Sequence, residues 1–251
     1  MSTEKQLHRF FIRAECFSDG KVKIDGADAR QIYTVLRLGP GDKLAAVDGK
    51  GCMLTVQISE INALEVVGDV VDTCPLDTEP SIKLTLAAAL PKGDKLEFVI
   101  QKGTELGVAK FHVISTARTI PKIAPGKVER KLSRWKAIAE EAAEQSCRAI
   151  VPEIEGITAL DQFIPSIADY DLAVCFWEDE KETGIKEVLA KHRSVKNILI
   201  IVGPEGGFEE KEVKTLVAGG AVTASLGRRV FRCETAAIAA SAIVLYEMET
   251  Q

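Results

Sequence analysis

The spacing of hydrophobic positions divides the chain into two parts. In the first part, short apolar runs separated by polar turns are typical of β-strands, and they fall at residues 10–12, 43–47, 54–58 and 64–71. Residues 27–38 instead have the spacing of a helix, with Ile32, Val35 and Leu36 on its apolar face. Several short strands with a single helix predict a small β-barrel over residues 1–73.

Beyond a polar segment at residues 74–80, which contains two prolines, strand-like and helix-like patterns alternate. The predicted strands are residues 82–89, 111–115, 172–177, 197–202 and 222–225. The predicted helices are residues 94–106, 128–145, 184–191, 209–218 and 234–249. Because strands that alternate with helices form parallel sheets, residues 78–251 are expected to fold as an α/β domain.

The composition favours a folded protein without a membrane segment, a metal or a disulfide. Of 251 residues, 46% are hydrophobic and 27% are charged, which is enough apolar material for a large core. No apolar run approaches the roughly 20 residues needed to cross a bilayer, and the N-terminal segment lacks the pattern of a secretory signal. The six cysteines and three histidines are scattered without the spacing of metal ligands. We therefore expect a cytoplasmic protein with free thiols.

Positive charge is concentrated in one segment of an acidic protein. The net charge is −5, yet residues 118–136 contain seven basic side chains and a single acid, Glu129. Such a segment suits the phosphates of a nucleic acid. A solvated loop and helix face explains the same pattern, so both interpretations stay open at this point.

Two loops of the second part have compositions that suit a ligand, and each follows a predicted strand. The apolar run at residues 198–202 leads directly into Gly203-Pro204-Glu205-Gly206-Gly207. Parallel sheets bind ligands at the carboxyl ends of their strands, where glycine lets the backbone approach a ligand closely. The loop fits neither the dinucleotide-binding fingerprint nor the phosphate-binding P-loop, so a tight turn without a ligand is the alternative.

The second loop, at residues 225–235, contains three arginines, Arg228, Arg229 and Arg232. Arginines beside a glycine and a helix N-terminus suit anionic RNA groups or a carboxylate, although Arg228 or Arg229 also fits a plain surface position. Glu234 is favourable at a helix start whatever else it does. The small residues of the following helix suit either core packing or a subunit interface.

The predicted helix at residues 94–106 bears several charges outside its apolar face. Lys95, Lys102 and Glu105 are the three that stand out. Solvated surface positions are the simplest interpretation of these side chains.

Six motifs occur in one order along the chain. They are His8-Arg9-Phe10-Phe11; Val35-Leu36-Arg37-Leu38 with Gly41-Asp42 and Asp48-Gly49; residues 92–98 with 101–108; Glu144-Gln145-Ser146 with Arg148 and residues 151–154; residues 203–207; and Leu226-Gly227, Arg232 and Glu234-Thr235-Ala236. In this order and spacing they resemble the 16S rRNA uridine-N3 methyltransferase family, the RsmE type of the SPOUT superfamily. The resemblance covers nearly the whole chain.

The resemblance implies an α/β protein with a trefoil-knotted SPOUT methyltransferase domain at residues 78–251 and a small PUA-like, RNA-binding β-barrel at residues 1–73. It also implies a homodimer that acts on 16S rRNA or the small ribosomal subunit with S-adenosylmethionine (SAM) as cofactor. By position, the cofactor-binding residues are Trp177, Glu178, Gly203, Pro204, Glu205, Gly206, Gly207, Leu226, Gly227, Val230, Phe231, Arg232, Thr235 and Ala236. The expected RNA-binding residues are Arg9, Arg13, Arg37, Lys92, Lys102, Arg118, Lys122, Lys127, Lys131 and Arg148.

The product implied by the resemblance is N3-methyluridine. The sulfonium of SAM already activates the methyl group, so the protein has to place uridine N3 and favour the loss of its proton. We expect Arg232 to stabilise the uridine anion or to orient the base, with Glu234 or Glu205 as proton acceptor. Four positions depart from the family pattern: Arg228 replaces a proline, Cys233 a threonine, Cys147 a glycine and Ile150 a basic residue.

Three other functions are considered beside this one. A SPOUT methyltransferase could act on another rRNA nucleotide or on tRNA, but the PUA-like N-terminal part argues against tRNA. A noncatalytic RNA-binding or ribosome-assembly protein would not need both glycine loops intact. A nucleotide-binding α/β enzyme would need a phosphate-loop motif, which the sequence lacks.

Overall fold

The computed structural model describes residues 7–12, 14–121 and 125–249. The chain divides into two compact units, Met1–Glu79 together with Ala143–Val151, and Pro80–Ala142 together with Pro152–Gln251. The sequence pattern alone had assigned the short stretch Ala143–Val151 to the second part. Long-range hydrogen bonds explain its place, since the Glu144 carboxylate accepts the backbone N–H of Phe11 and the Cys147 carbonyl accepts the Arg9 guanidinium.

The first unit is built on one mixed sheet with the strand order β1-β4-β5-β6-β3-β2. Its strands are β1 (Arg9–Phe11), β2 (Phe17–Ser18), β3 (Lys21–Asp25), β4 (Lys43–Val47), β5 (Cys52–Ile61) and β6 (Glu65–Pro75). All neighbouring strands are antiparallel except β1 and β4, which are parallel. The mixed sheet agrees with the predicted β-rich first part, and its interpretation as a PUA-like barrel stays a prediction.

The helix of this unit differs in register from the prediction. It begins as α1 (Gly26–Arg30) and continues as a π-helical turn, Gln31–Val35, in which the N–H of Leu36 bonds the carbonyl of Gln31. A π-turn is wider than an α-turn, so the residue below Ile32 on the apolar face is Leu36 rather than Val35. Ile32 is fully buried, Leu36 packs against the core of the unit, and Val35 is 71% exposed. The expectation that Val35 belongs to the apolar face was wrong.

A buried ion pair closes the first unit. Arg148 is only 4% exposed, and its Nη2 lies 2.5 Å from an oxygen of Glu79. The same carboxylate accepts the backbone N–H of Ala149 at 3.0 Å. A guanidinium that is buried and paired in this way is not available to a phosphate. We therefore withdraw Arg148 from the expected RNA-binding residues.

The second unit contains a six-stranded sheet with the order β12-β10-β11-β7-β8-β9, in which every neighbouring pair is parallel. Its strands are β7 (Lys83–Ala89), β8 (Lys110–Ser115), β9 (Glu153–Ala159), β10 (Leu172–Phe176), β11 (Asn197–Val202) and β12 (Val222–Ala224). Its helices are α2 (Lys95–Leu106), α3 (Pro125–Gln145), α4 (Leu160–Phe163), α5 (Ile185–Lys191), α6 (Glu210–Ala218) and α7 (Cys233–Met248). The predicted α/β pattern is confirmed.

Helices cover both faces of this sheet, which explains its continuous apolar strands. In β11 all five residues from Ile198 to Val202 are buried. One face packs against α4 and α6, with Phe163 and Leu216 in the shared core. Helix α7 packs on β7, β11 and α2. The middle of the sheet is therefore rigid, and its loops start from fixed points.

Some short elements were not predicted. Strands β2 and β3 and helix α4 are missing from the prediction, and β9 was seen only as part of a family motif. In β3 the sequence Lys-Val-Lys-Ile-Asp buries only Val22 and Ile24. Two apolar residues separated by one polar residue are too short a pattern to predict a strand. Within the described ranges, no helix has both the length and the apolarity to cross a membrane. All six cysteines are free thiols.

Removing Glu79 should destabilise the protein strongly. In Glu79→Ala the Arg148 guanidinium stays buried and loses its carboxylate, so we expect the free energy of unfolding to fall by about 3 kcal/mol. Urea denaturation would measure this loss. As a control, Glu187→Ala breaks the exposed pair with Lys191 and should change stability by less than about 0.5 kcal/mol. Equal losses in the two variants would contradict the importance of the buried pair.

Candidate functional site

A cavity of about 490 Å³ lies at the carboxyl edge of the parallel sheet. It is lined by the segments that follow four adjacent strands, β12, β10, β11 and β7. Twelve of the expected cofactor-binding residues line the cavity: Trp177, Glu178, Gly203, Pro204, Glu205, Gly207, Leu226, Gly227, Val230, Phe231, Arg232 and Ala236. Gly206 and Thr235 do not line the cavity, and neither does Glu234.

The first loop depends on Gly207 rather than Gly206. Gly207 has a φ of +67°, a conformation that side chains disfavour, and a Cβ on it would lie 2.7 Å from the carboxyl carbon of Glu178. At Gly206 the nearest atoms to such a Cβ are 3.4 Å away, on Arg118, and its carbonyl accepts the Arg118 guanidinium at 2.6 Å. A side chain at Gly207 would therefore be strained by the backbone conformation and would displace the Glu178 carboxylate.

The arginines of the second loop, residues 225–235, present positive charge without an acidic partner in the described chain. Gly227 has a φ of +109°, and the Ser225 hydroxyl accepts its N–H at 3.2 Å. Within the described residues, none of its three arginines forms an ion pair, although all three line the cavity: Arg228, Arg229 and Arg232. Such a wall suits an anionic or electron-rich group.

Lys95 lines the cavity and contacts an acidic residue in each of the two loops. It is the first residue of α2, and its Nζ lies 3.1 Å from Oε1 of Glu205 and 3.3 Å from Oε2 of Glu234. The backbone N–H of Lys92 also donates to Glu205 Oε1, at 3.1 Å. The expectation that Lys95 is a solvated surface charge was wrong, because its side chain is only 33% exposed and is held by two carboxylates.

The ion pairs at Lys95 control the charge of its neighbours. Partial burial works to raise the pKa of Glu205 and Glu234, yet hydrogen bonds to backbone N–H groups and to Lys95 hold the pKa of both below the usual value. Hydrogen bonds to the same carboxylates raise the pKa of Lys95. Burial, with a hydrogen bond to Glu234, raises the pKa of the Cys233 thiol to about 12. At neutral pH the groups in contact around Lys95 are therefore two carboxylates, one ammonium and a neutral thiol.

Several lining residues were absent from the sequence-based set. They are Lys95, Lys181, Val202, Ala224, Ser225 and Cys233. Most directly adjoin a predicted residue along the chain, so extending each loop by one or two positions would have found them. Lys95 belongs to a distant helix, and only its motif with Lys92 pointed to it.

The expected RNA-binding residues have different surroundings. Arg37, Lys92, Arg118 and Lys127 are exposed. Lys102 pairs with Glu105 at 2.7 Å, and Lys131 lies over the ring of Trp135. Arg9 donates to the Cys147 carbonyl. Arg13 and Lys122 lie outside the described residues.

Comparisons with known proteins agree with this fold. Residues 78–245 match the model of the RNA methyltransferase domain family. The ribosomal RNA small subunit methyltransferase E of Bacillus subtilis is 34% identical over 230 residues, which cover 90% of each chain. The chain therefore belongs to the ribosomal RNA small subunit methyltransferase E family.

Two solved structures extend this likeness to three dimensions. A Legionella pneumophila protein in complex with the bound cofactor SAM is 29% identical, with a TM-score of 0.87 over 96% of this chain and 98% of that one. The ribosomal RNA small subunit methyltransferase E of Neisseria gonorrhoeae, bound to S-adenosyl methionine, is 26% identical, with a TM-score of 0.86 over 96% and 97%.

Replacing Gly207 should disturb the loop far more than replacing Gly206. Gly207→Ala forces a side chain into a left-handed conformation, at about 1–2 kcal/mol, and displaces the Glu178 carboxylate. We expect a loss of stability of about that size in urea denaturation. Gly206→Ala is the matched control and should stay within about 0.5 kcal/mol of the wild type. A similar loss at both glycines would refute the packing described here.

Proposed function

We propose that the protein transfers a methyl group from SAM to N3 of a specific uridine in 16S rRNA of the small ribosomal subunit. The observation that carries this proposal is the cavity between the two loops, in a chain whose relatives are rRNA methyltransferases and whose structural neighbours contain SAM. A volume of about 490 Å³ falls within the roughly 300–1,000 Å³ of small-molecule sites.

The residues around the cavity fit SAM as cofactor. Gly203 and Gly207 line one part of the cavity, and residues 226–232 line another. Trp177 and Glu178 supply an aromatic surface and a carboxylate for a ligand that carries positive charge. SAM supplies an already activated methyl group. The chain must hold uridine N3 in line with the methyl group and accept the N3 proton.

Arg232 and the carboxylates of Glu205 and Glu234 are suited to the removal of the N3 proton. Arg232 lines the cavity without a carboxylate partner in the described chain, so its guanidinium can stabilise the negative charge that develops on the uracil ring. Glu205 also lines the cavity, and Lys95 contacts both Glu205 and Glu234. Both carboxylates have a lowered pKa and are therefore ionised and able to accept a proton. Because Glu205 lines the cavity and Glu234 does not, we assign the acceptor role to Glu205.

The finer features of the fold belong to the same proposal. We take the parallel-sheet unit to be a trefoil-knotted SPOUT domain and the mixed-sheet unit to be a PUA-like RNA-binding domain. We also propose a cytoplasmic homodimer with α7 near the interface. Helix α7 supports this, because Tyr246 is 74% exposed on it and Ile238, Ala239 and Ile243 are only partly covered. Apolar positions left uncovered on one helix face favour a partner subunit.

A methylation assay with mapping of the product tests the function. With SAM and small subunits from a strain that lacks this gene, the protein should form N3-methyluridine at one position of 16S rRNA, detected by mass spectrometry. Arg232→Ala should lower the single-turnover rate at saturating RNA by about 100-fold or more, because a charge-stabilising group is lost. Arg228→Ala, on the same loop, should have a smaller effect. SAM and RNA binding without any methylated product would favour a noncatalytic RNA-binding protein.

The basic segment should bind RNA through its phosphates. Lys127→Ala and Lys131→Ala should each weaken RNA binding and lower the slope of log K against log salt by about 1. Their affinity for SAM, measured by calorimetry, should not change. Lys214→Ala, which removes a surface lysine paired with Glu210 outside this segment, is the control. Unchanged affinity and slope in both lysine variants would identify the segment as a solvated face.

A further inference from the structure

Three separate parts of the second unit meet at the Lys95 ammonium. Lys95 follows β7, Glu205 follows β11, and Glu234 lies in the first turn of α7 after β12. These side chains are about one-third exposed or less, so their interactions are less screened than those of a surface pair. The three residues are named here the Lys95 cluster.

Each carboxylate of the Lys95 cluster accepts hydrogen bonds from more than one donor. Oε1 of Glu205 accepts from Lys95 and from the N–H of Lys92, and Oε2 of Glu234 accepts from Lys95 and from the Cys233 thiol. The backbone N–H of each glutamate also contributes a hydrogen bond to its own carboxylate. An ammonium has three N–H donors, and two of them engage these carboxylates. Lys95 thus holds both carboxylates at one position.

Without the ammonium of Lys95, each of these two neighbouring carboxylates would disfavour the ionisation of the other. Like charges that share a site raise a pKa, whereas an opposite charge lowers it. Cys233 is the remaining titratable group in contact with the cluster, and it stays neutral because burial raises its pKa to about 12. Lys95 is therefore the only cation in contact with both carboxylates among the described residues.

We infer that Lys95 is a positioning residue for proton removal, holding Glu205 in place and ionised so that this carboxylate accepts the uridine N3 proton, while Glu234 holds Lys95 from α7. This role rests on the proposed function. The proton passes from N3 to the carboxylate of Glu205, and the N3 electron pair forms the bond to the methyl carbon. The electron pair of the broken carbon–sulfur bond remains on sulfur, which becomes a neutral thioether. Charge and atoms balance without another reactant.

The first test concerns the free protein and needs no activity. Lys95→Met removes the charge and keeps the length of the side chain, and Lys95→Arg restores the charge. Carboxyl-carbon NMR titration, assigned with Glu205→Gln and Glu234→Gln, should show the pKa of one or both glutamates rising by about 1 unit or more in Lys95→Met. Lys95→Arg should keep them near the wild-type values. Unchanged glutamate pKa values in Lys95→Met would overturn the inference.

The second test is the pH dependence of single-turnover methylation. With an ionised carboxylate as acceptor, the wild-type rate should be level between about pH 5.5 and 8, since its pKa lies below this range. Lys95→Met raises that pKa, so its rate should fall on the acid side of the range, and Lys95→Arg should restore the level profile. Lys214→Met is the matched control, because it removes an ion-paired lysine outside the cavity.

Two results would count against this role of Lys95. One is a Lys95→Met rate lowered by the same factor at every pH, which is the result of a purely structural ion pair. The other is a wild-type rate that rises about tenfold per pH unit, which shows that the proton leaves to solvent rather than to a carboxylate. A wild-type protein that forms no N3-methyluridine would instead overturn the proposed function, and the NMR titration would still report on the cluster.

Discussion

The parallel alignment of four neighbouring strands is the constraint on which the site depends. Strands β12, β10, β11 and β7 lie side by side and point the same way, so the segments after them emerge at one edge. Because helices bury both faces of the sheet, these exit points cannot shift without disturbing the core. Each loop contributes little by itself. Their convergence produces a cavity whose walls come from residues more than 100 positions apart in the chain.

Much of the fold could be predicted because its strongest signals are local. Strand β11 is buried on both faces and is therefore a continuous apolar run, which a sequence pattern shows directly. The exposed position of Val35 could not be predicted, because a π-turn changes the periodicity on which the prediction was based. The stretch Ala143–Val151 was misassigned for a different reason. Its place depends on long-range hydrogen bonds of Glu144 and Cys147, which leave no periodic pattern.

The candidate site was predictable where it coincides with loops after strands. Gly203 and Gly207 followed from this rule, but it could not separate Gly207 from Gly206, since the difference lies in a backbone angle and in the contact with Glu178. Lys95 was misjudged because a lysine on an amphipathic helix has the same pattern whether it faces solvent or two carboxylates. Arg148 was misjudged in the opposite sense. Its partner, Glu79, lies 69 positions away, so the sequence shows a basic residue and hides its burial.

The raised pKa of Cys233 has a consequence for chemical selectivity. A thiolate is a far better nucleophile than a thiol, and a thiolate in the wall of a cavity that holds a sulfonium would compete for the methyl group. Burial and the hydrogen bond to Glu234 raise the pKa of Cys233 to about 12, so at pH 7 this side chain is a neutral thiol. A neutral thiol in the cavity wall is a poor competitor for an activated methyl group.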